Sequence, residues 1–193
     1  MSLFSESLNN KYQIYIYKHA DIILREGFKN EFDDIEVLLE NLLIKEEQLV
    51  KSGGGKSDIA YMIDNVLINE KGWKEKEFIT SIEIDGKSRN NPTHKIDCYK
   101  NRIALELEWN NKTEFYDRDL NNFRILNELD CISLGVILTR STALNDKLKK
   151  LKIYSKYGAS TTHMDKLITK IEGGGAGGCP VIAFGIKEEC ING

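Results

Sequence analysis

The chain has 193 residues, 41% of them hydrophobic, with only two prolines, enough to build one substantial core. A formal net charge of −3 excludes a protein that coats nucleic acid non-specifically, while leaving room for local basic faces. No stretch approaches the roughly 18 apolar residues of a membrane helix, and "MSLFSESLNN" lacks a signal-peptide apolar region, so a cytoplasmic protein that makes no membrane contact is expected.

In chain order, the first strong pattern is "NEFDDIEVLLENLLIKEEQL", where Ile35, Leu38, Leu39, Leu42 and Leu43 recur at helical spacing and Asp33 or Asp34 is expected as the cap. The loop "KSGGGKSD" follows. A phosphate-binding Walker loop needs a glycine where Val50 stands, so the loop reads as a connector, or as one whose Lys51 and Lys56 touch a DNA backbone. "IAYMIDNVLINEKGW" predicts a second helix, capped by Ser57 or Asp58 and stopped at Gly72. "EFITSIEIDGKSR" alternates and turns at Asp-Gly, as a hairpin does.

The most informative stretch is "HKIDCYKNRIALELEWNNK", residues 94–112. Ile103, Leu105, Leu107 and Trp109 alternate with Arg102, Ala104, Glu106 and Glu108, the pattern of a strand with one buried face. Glu106 and Glu108 therefore share a side, about 7 Å apart, with Asp97 nine residues ahead of Glu106. The plain reading is that both glutamates face solvent. The chemical one is that Asp97, Glu106 and Glu108 repel one another unless a cation shares their site. Oxygen ligands favour Mg²⁺, with Mn²⁺ as a substitute, over zinc, and point to phosphoryl chemistry. His19, His94 and His163 are scattered and are expected to be structural or exposed.

"EFYDRDLNNFRILNEL" then carries Phe115, Leu120, Phe123, Leu126 and Leu129 on a helical stripe, and "CISLGVILT" is a continuous apolar strand. Strand, helix and buried strand in that order predict a β-α-β crossover whose strands lie parallel in one sheet. The expected fold is α/β, a mixed central β-sheet flanked by helices. "NDKLKKLKIYSK" places five lysines within ten positions, as a solvated face or a phosphate contact. The glycines of "EGGGAGGCP" permit close backbone approach or unusual φ rather than a phosphate cradle. Cys98, Cys131, Cys179 and Cys190 form no C-x-x-C pair and are expected as buried or inert thiols, not as zinc ligands or disulfides.

"SDIAYMIDNVLINEKGWKE", "IDCYKNRIALELEW", the crossover unit and "GGGAGGCPVIAFGI" together resemble the BglII and BstYI restriction endonucleases, a branch of the PD-(D/E)xK nuclease superfamily that also includes BamHI. The resemblance spans roughly residues 56–188. It implies a restriction-endonuclease-like fold, with Asp97 and Glu106 as metal-ligating acids and the Leu107 carbonyl completing the ion's inner shell. Glu108 stands where the superfamily has lysine and this branch has glutamine, and so resembles the ExE active site of BamHI; Ile96 stands in place of the superfamily's proline. The likeness further implies DNA contacts from Asn110, Asn111 and Lys112 after the catalytic strand, from Arg140, Ser141 and Thr142 after the parallel strand, and from Ser160, Thr161 and Thr162.

The function implied is a type II restriction endonuclease: a homodimer that cuts double-stranded DNA at a short palindrome, with a GATC centre and a four-base 5′ overhang, beside a cognate methyltransferase encoded nearby. A non-catalytic DNA-binding module, or a repair nuclease that reads DNA shape, is the alternative. One endonuclease domain is expected over 1–193, with a helical part over about 11–72, a catalytic core over about 77–140, and recognition loops and a final strand over about 141–188.

Overall fold

A computed structural model describes residues 4–50 and 55–192. Nine α-helices, α1 (Glu6–Lys11), α2 (Ala20–Ile22), α3 (Lys29–Asn41), α4 (Glu46–Val50), α5 (Asp58–Asp64), α6 (Glu114–Glu128), α7 (Leu144–Lys150), α8 (Tyr154–Tyr157) and α9 (Met164–Glu172), are found among the described residues. The strands are β1 (Tyr12–Tyr17), β2 (Ile44–Lys45), β3 (Lys74–Lys76), β4 (Ile79–Ile84), β5 (Lys87–Pro92), β6 (Ile96–Lys100), β7 (Ile103–Glu108), β8 (Leu134–Arg140), β9 (Val181–Ile186) and β10 (Ile191–Asn192). Six of them form a mixed sheet in the order β1-β9-β8-β7-β6-β3.

The crossover is present as expected. β7 and β8 run parallel from Ile103 opposite Leu134 to Glu108 opposite Thr139, with α6 between them in the chain. Side-chain alternation divides the core into two layers. Leu105, Val136, Leu138 and Phe184 face a cluster built with the N-terminal helices, including Leu24, Ile35, Leu38 and Leu67. Ala104, Ile137, Val181 and Ala183 face Tyr116, Leu120 and Phe123 of α6 and Leu167 and Ile171 of α9. A sheet covered on both faces explains why all seven residues of β8 are buried.

That packing corrects several expectations. β7 does not have one buried and one wet face: Glu106 and Glu108 are 1% and 2% exposed, because α6 lies over their side. The segment expected to be helical from about residue 11 opens instead with β1, an antiparallel edge strand on β9 whose "YQIYIY" is rich in residues that favour pleated sheets. Helix α3 starts at Lys29, so neither Asp33 nor Asp34 is its cap. Asp34 is buried and accepts hydrogen bonds from Trp73 Nε1 (3.0 Å) and Lys100 Nζ (2.8 Å), a tertiary role. Leu43 lies beyond the end of α3 and is exposed, as is Leu129 beyond α6, so neither completes its stripe.

Other expectations hold. Ser57 caps α5 by accepting from the Ala60 amide, and Gly72 ends the following segment with φ +73°. The Asp-Gly hairpin forms, with φ +51° at Asp85 and +74° at Gly86, the pair of positive angles a two-residue turn of this kind requires. It stands outside the main sheet, and Ile79, Ile82 and Ile84 are exposed on it. The cysteines are free thiols.

Gly135 shows how closely α6 sits on β8. A Cβ there would fall 2.2 Å from the Phe123 ring. Gly135→Ala is expected to destabilise the protein by about 1–3 kcal/mol through overpacking. A urea midpoint unchanged in that variant would show that the helix can retreat.

Candidate active site

The nine-residue spacing of Asp97 and Glu106 has a structural cause. Antiparallel β6 and β7 pair Lys100 with Ile103, Tyr99 with Ala104 and Cys98 with Leu105, around a turn in which Asn101 and Arg102 both take positive φ. That pairing ends at Cys98 and Leu105, and just beyond it Asp97 lies beside the Glu106–Leu107 peptide. The two close on each other's backbones: the Asp97 amide donates to Glu106 Oε2 (3.2 Å), and the Leu107 amide donates to Asp97 Oδ2 (3.1 Å). In an extended strand a residue's N–H and C=O point the same way, so the Leu107 carbonyl also faces the β6 side, towards Asp97.

Asp97 is exposed and lines a cleft of about 950 Å³ together with Leu105, Leu107, Trp109 and residues of α5. Glu106 turns to the other side of β7, beneath α6. Its Oε1 is buried and has no hydrogen-bond partner among the described residues. Burial first, then the nearby charges of Asp119 and Asp97, push its pKa well up. Glu108 accepts from Arg118 Nη2 (3.1 Å) at Oε1 and from Asn111 Nδ2 (2.6 Å) at Oε2. Burial and the adjoining Asp119 push its carboxyl from an ordinary 4.5 up to about 9.

Two site residues were missed by sequence reading. Asp119 on α6 is fully buried beside Glu108 and receives Arg118 Nε at Oδ1 (2.8 Å), while its Oδ2 meets no geometric hydrogen-bond partner among the described residues. Its pKa is raised, chiefly by burial. Arg118 joins it to Glu108. The signal was present: Asp119 falls on the buried stripe of α6 with Tyr116, Leu120, Phe123 and Leu126, and an acid on a core-facing helical position is rare without a partner.

Such buried acids make the metal-free site sensitive to pH. A carboxyl whose folded pKa is raised binds its proton more tightly when folded, so its contribution to stability is full below about pH 4.5 and is lost as pH rises towards its folded value. With Glu108 near 9, the protein in EDTA is expected to be less stable at pH 8.5 than at pH 5.5, and Glu108→Gln is expected to flatten part of that slope. Stability that instead climbs with pH across this window, measured by urea titration, would contradict these environments.

The site fits a divalent cation. It offers hard oxygen donors only, one of them a buried carboxylate oxygen with nothing to accept from, and a peptide edge alongside. Among the described residues no three Asp, Glu, His or Cys side chains form a ready-made cage, so a backbone oxygen or water has to complete any coordination.

The expected DNA-reading residues divide into an outer and an inner group. Three loops meet at the C-terminal end of β7: Lys112 bridges Thr161, the Thr113 amide donates to the Ser160 carbonyl (3.0 Å), the Thr162 amide donates to the Asn111 carbonyl (3.0 Å), and Arg140 at the end of β8 donates to the Thr162 carbonyl (2.7 Å). Asn110, Lys112 and Ser160 are exposed there, and Asn111 and Thr161 are half-buried. Arg140, Ser141 and Thr162, however, are buried. Arg140 spends its donors on the Thr162 and Tyr157 carbonyls, Asn145 Oδ1 and Thr161 Oγ1, and the Ser141 hydroxyl accepts from the Leu144 amide at the start of α7. Thr142 meets His163 Nδ1 at 3.0 Å.

The lysine run is similarly divided. Lys147 pairs with Glu46, Lys149 with Asp146, and Lys156 donates to the Val50 carbonyl, whereas Lys150 and Lys152 are exposed. Lys56 pairs with Asp64, and Lys51 lies outside the described residues.

Residues 12–186 match the profile of a family described as Restriction endonuclease BglII/BglIII. The chain belongs to that family. It is therefore a type II site-specific deoxyribonuclease acting on double-stranded DNA, on a mixed α/β fold of the restriction-endonuclease kind. Restriction endonucleases of this family generally need a divalent metal ion. No curated protein sequence matches the chain.

Proposed function

We propose that the enzyme is Mg²⁺-dependent, with Mn²⁺ as a substitute, and that Asp97, Glu106 and the Leu107 carbonyl hold the ion while Glu108 acts as base. The observation that carries this reading is the reciprocal Asp97–Glu106 closure across β6 and β7, with Glu106 Oε1 left buried and unpartnered. When bound, the ion supplies charge against the phosphate and lowers the pKa of water. The chain's own groups do the positioning. Two backbone amides fix the carboxylates of Asp97 and Glu106, and Asn111 and Arg118 hold Glu108 in one orientation beside them, where its ionised form takes a proton from the attacking water.

Sequence reading is assigned to the surface where the three loops meet, at the C-terminal end of β7 and β8, the end of an open α/β sheet where ligands gather. Asn110, Asn111, Lys112, Ser160 and Thr161 present its polar groups, and asparagine pairs bidentately with adenine. Arg140, Ser141 and Thr162 act from behind by fixing the loop. One copy of the chain carries one carboxylate site, so cutting both strands of a palindrome calls for a homodimer whose two-fold axis matches that of the DNA. The resemblance makes α6 the contact between the two copies, and its outward side carries Asn121, Arg124 and Glu128, so a contact there is polar. The site proposed is a GATC-centred hexamer cut to a four-base 5′ overhang, in the cytoplasm of a cell whose methyltransferase protects its own DNA. One domain over 1–193 is part of the same proposal.

Digesting a plasmid with Mg²⁺ and sequencing both product ends tests this. Discrete fragments with four-base 5′ extensions are expected. Blunt or 3′-extended ends overturn the dimer spacing, and a 5′ four-base end of another sequence overturns the assignment of the reading residues. No cutting, or cutting only at branched DNA, overturns the proposed reaction in favour of a binding module or a structure-selective nuclease.

A further inference from the structure

Arg118 is a cation built into the carboxylate site. Its charge is acknowledged by Glu106, Glu108, Asp119 and His94, whose proton affinities it lowers. Its guanidinium is held on three sides: Nη2 on Glu108 Oε1 (3.1 Å), Nε on Asp119 Oδ1 (2.8 Å), and the ring of Phe115 with the guanidinium carbon 4.4 Å from its centroid. Two side chains and a ring face leave this group little freedom. The side chain is nevertheless 33% exposed, and Nη1 takes no partner among the described residues. A planar fork that stays charged at any working pH, anchored on one edge and open on the other, is suited to a phosphate oxygen.

Hydrolysis of a phosphodiester builds negative charge on the non-bridging oxygens of the phosphate, and preorganised donors aimed at that charge are worth most where water is excluded. The site holds four acids, Asp97, Glu106, Glu108 and Asp119, and each one that ionises opposes the approach of an anionic backbone. A cation on the chain itself is needed close to them. We propose that Arg118 is a catalytic residue that donates through Nη1 to a non-bridging oxygen of the scissile phosphate, with Glu108 and Asp119 as its anchors. This rests on the active-site reading above.

The test uses full-length protein and duplexes containing the mapped cleavage site, either with an ordinary phosphate or with a neutral methylphosphonate at the scissile position. Arg118→Met is paired with Asp119→Asn to avoid leaving a buried carboxylate without its counter-charge, and Arg118→Lys is made alongside. In Ca²⁺ the double variant is expected to bind the ordinary duplex with a salt slope reduced by about one. Its single-turnover cleavage in Mg²⁺ is expected to fall roughly 10²–10³-fold, and Arg118→Lys to recover part of the loss.

Coupling decides the matter. In the wild type the methylphosphonate weakens Ca²⁺-supported binding, and in the double variant that penalty is expected to shrink, because one of the two cations that met the lost charge is gone. An undiminished penalty, or cleavage within threefold of wild type, overturns the proposal. Should the double variant fail to fold, Arg118→Lys carries the test: its ammonium cannot span both anchors and the phosphate, so its penalty must shrink, and an unchanged one overturns the proposal. Asp97→Ala is the control. If it still cuts, the active-site reading fails; if it does not cut while the Arg118 variants cut normally, only the assignment of Arg118 fails.

Discussion

Glu106→Gln and Asp97→Ala are each expected to lower Mg²⁺-dependent cleavage by roughly 10³-fold or more while leaving specific DNA binding within a few-fold of wild type. Glu106→Gln keeps the side-chain shape and still accepts from the Asp97 amide, so the hydrogen bond that ties β6 to β7 survives. What it removes is the negative charge behind the unpartnered Oε1. It also relieves a buried acid whose pKa is pushed up, so the metal-free variant is expected to be at least as stable as the wild type at pH 8. Loss of activity together with unchanged or increased stability separates a ligand from a structural residue. Asp97→Ala deletes the acceptor of the Leu107 amide at an exposed position, where water replaces it at modest cost. With Ca²⁺ in place of Mg²⁺, wild-type protein is expected to bind its site and cut little, since Ca²⁺ fills a site while organising the nucleophile poorly. Either variant cutting at the wild-type rate in a single-turnover assay refutes the assignment.

The catalytic strand was readable because its information is local. Alternation from Ile103 to Trp109 marked β7, the unbroken apolar run marked β8, and the helix between them required the parallel pairing that the structure shows. The nine-residue interval between Asp97 and Glu106 is a property of a two-residue turn and an antiparallel register, and both lie within a dozen residues. What could not be read depended on packing from afar. Nothing local to Glu108 says that α6 covers it, so a solvated face remained open although the residue is buried. Asp119 and Arg118 sit inside a helix whose apolar stripe was read from its hydrophobic members alone, and the acid on the stripe was passed over. β1 was missed because an edge strand paired only with β9, at the far end of the chain, leaves no nearby partner to betray it.

Arg140 was misread for the same kind of reason, and it carries the largest expected effect on stability. An arginine after a strand end defaults to the surface, yet here it is fully buried at the end of β8, with its guanidinium 5.3 Å from the centre of the Tyr157 ring. Its Nε donates to the Thr162 carbonyl at 2.7 Å and Nη2 reaches the Tyr157 carbonyl at 3.3 Å, while Asn145 and Thr161 accept from the remaining donors. One side chain thus fixes both ends of the loop that meets Asn111, Lys112 and Thr113. Arg140→Met fills similar volume but strands two buried carbonyls, which is expected to cost about 3 kcal/mol or more and to lower Tm by roughly 6–12 °C. DNA affinity should fall as well, because Ser160 and Thr161 lose their support, but the loss should appear in discrimination between the cognate site and a one-base variant and not in the salt slope. That pattern distinguishes a residue that shapes a reading loop from one that touches a phosphate, which would weaken all sequences alike and lower the slope by about one. A variant with wild-type Tm, or one that loses affinity for every sequence equally with a shallower slope, would return Arg140 to the DNA surface.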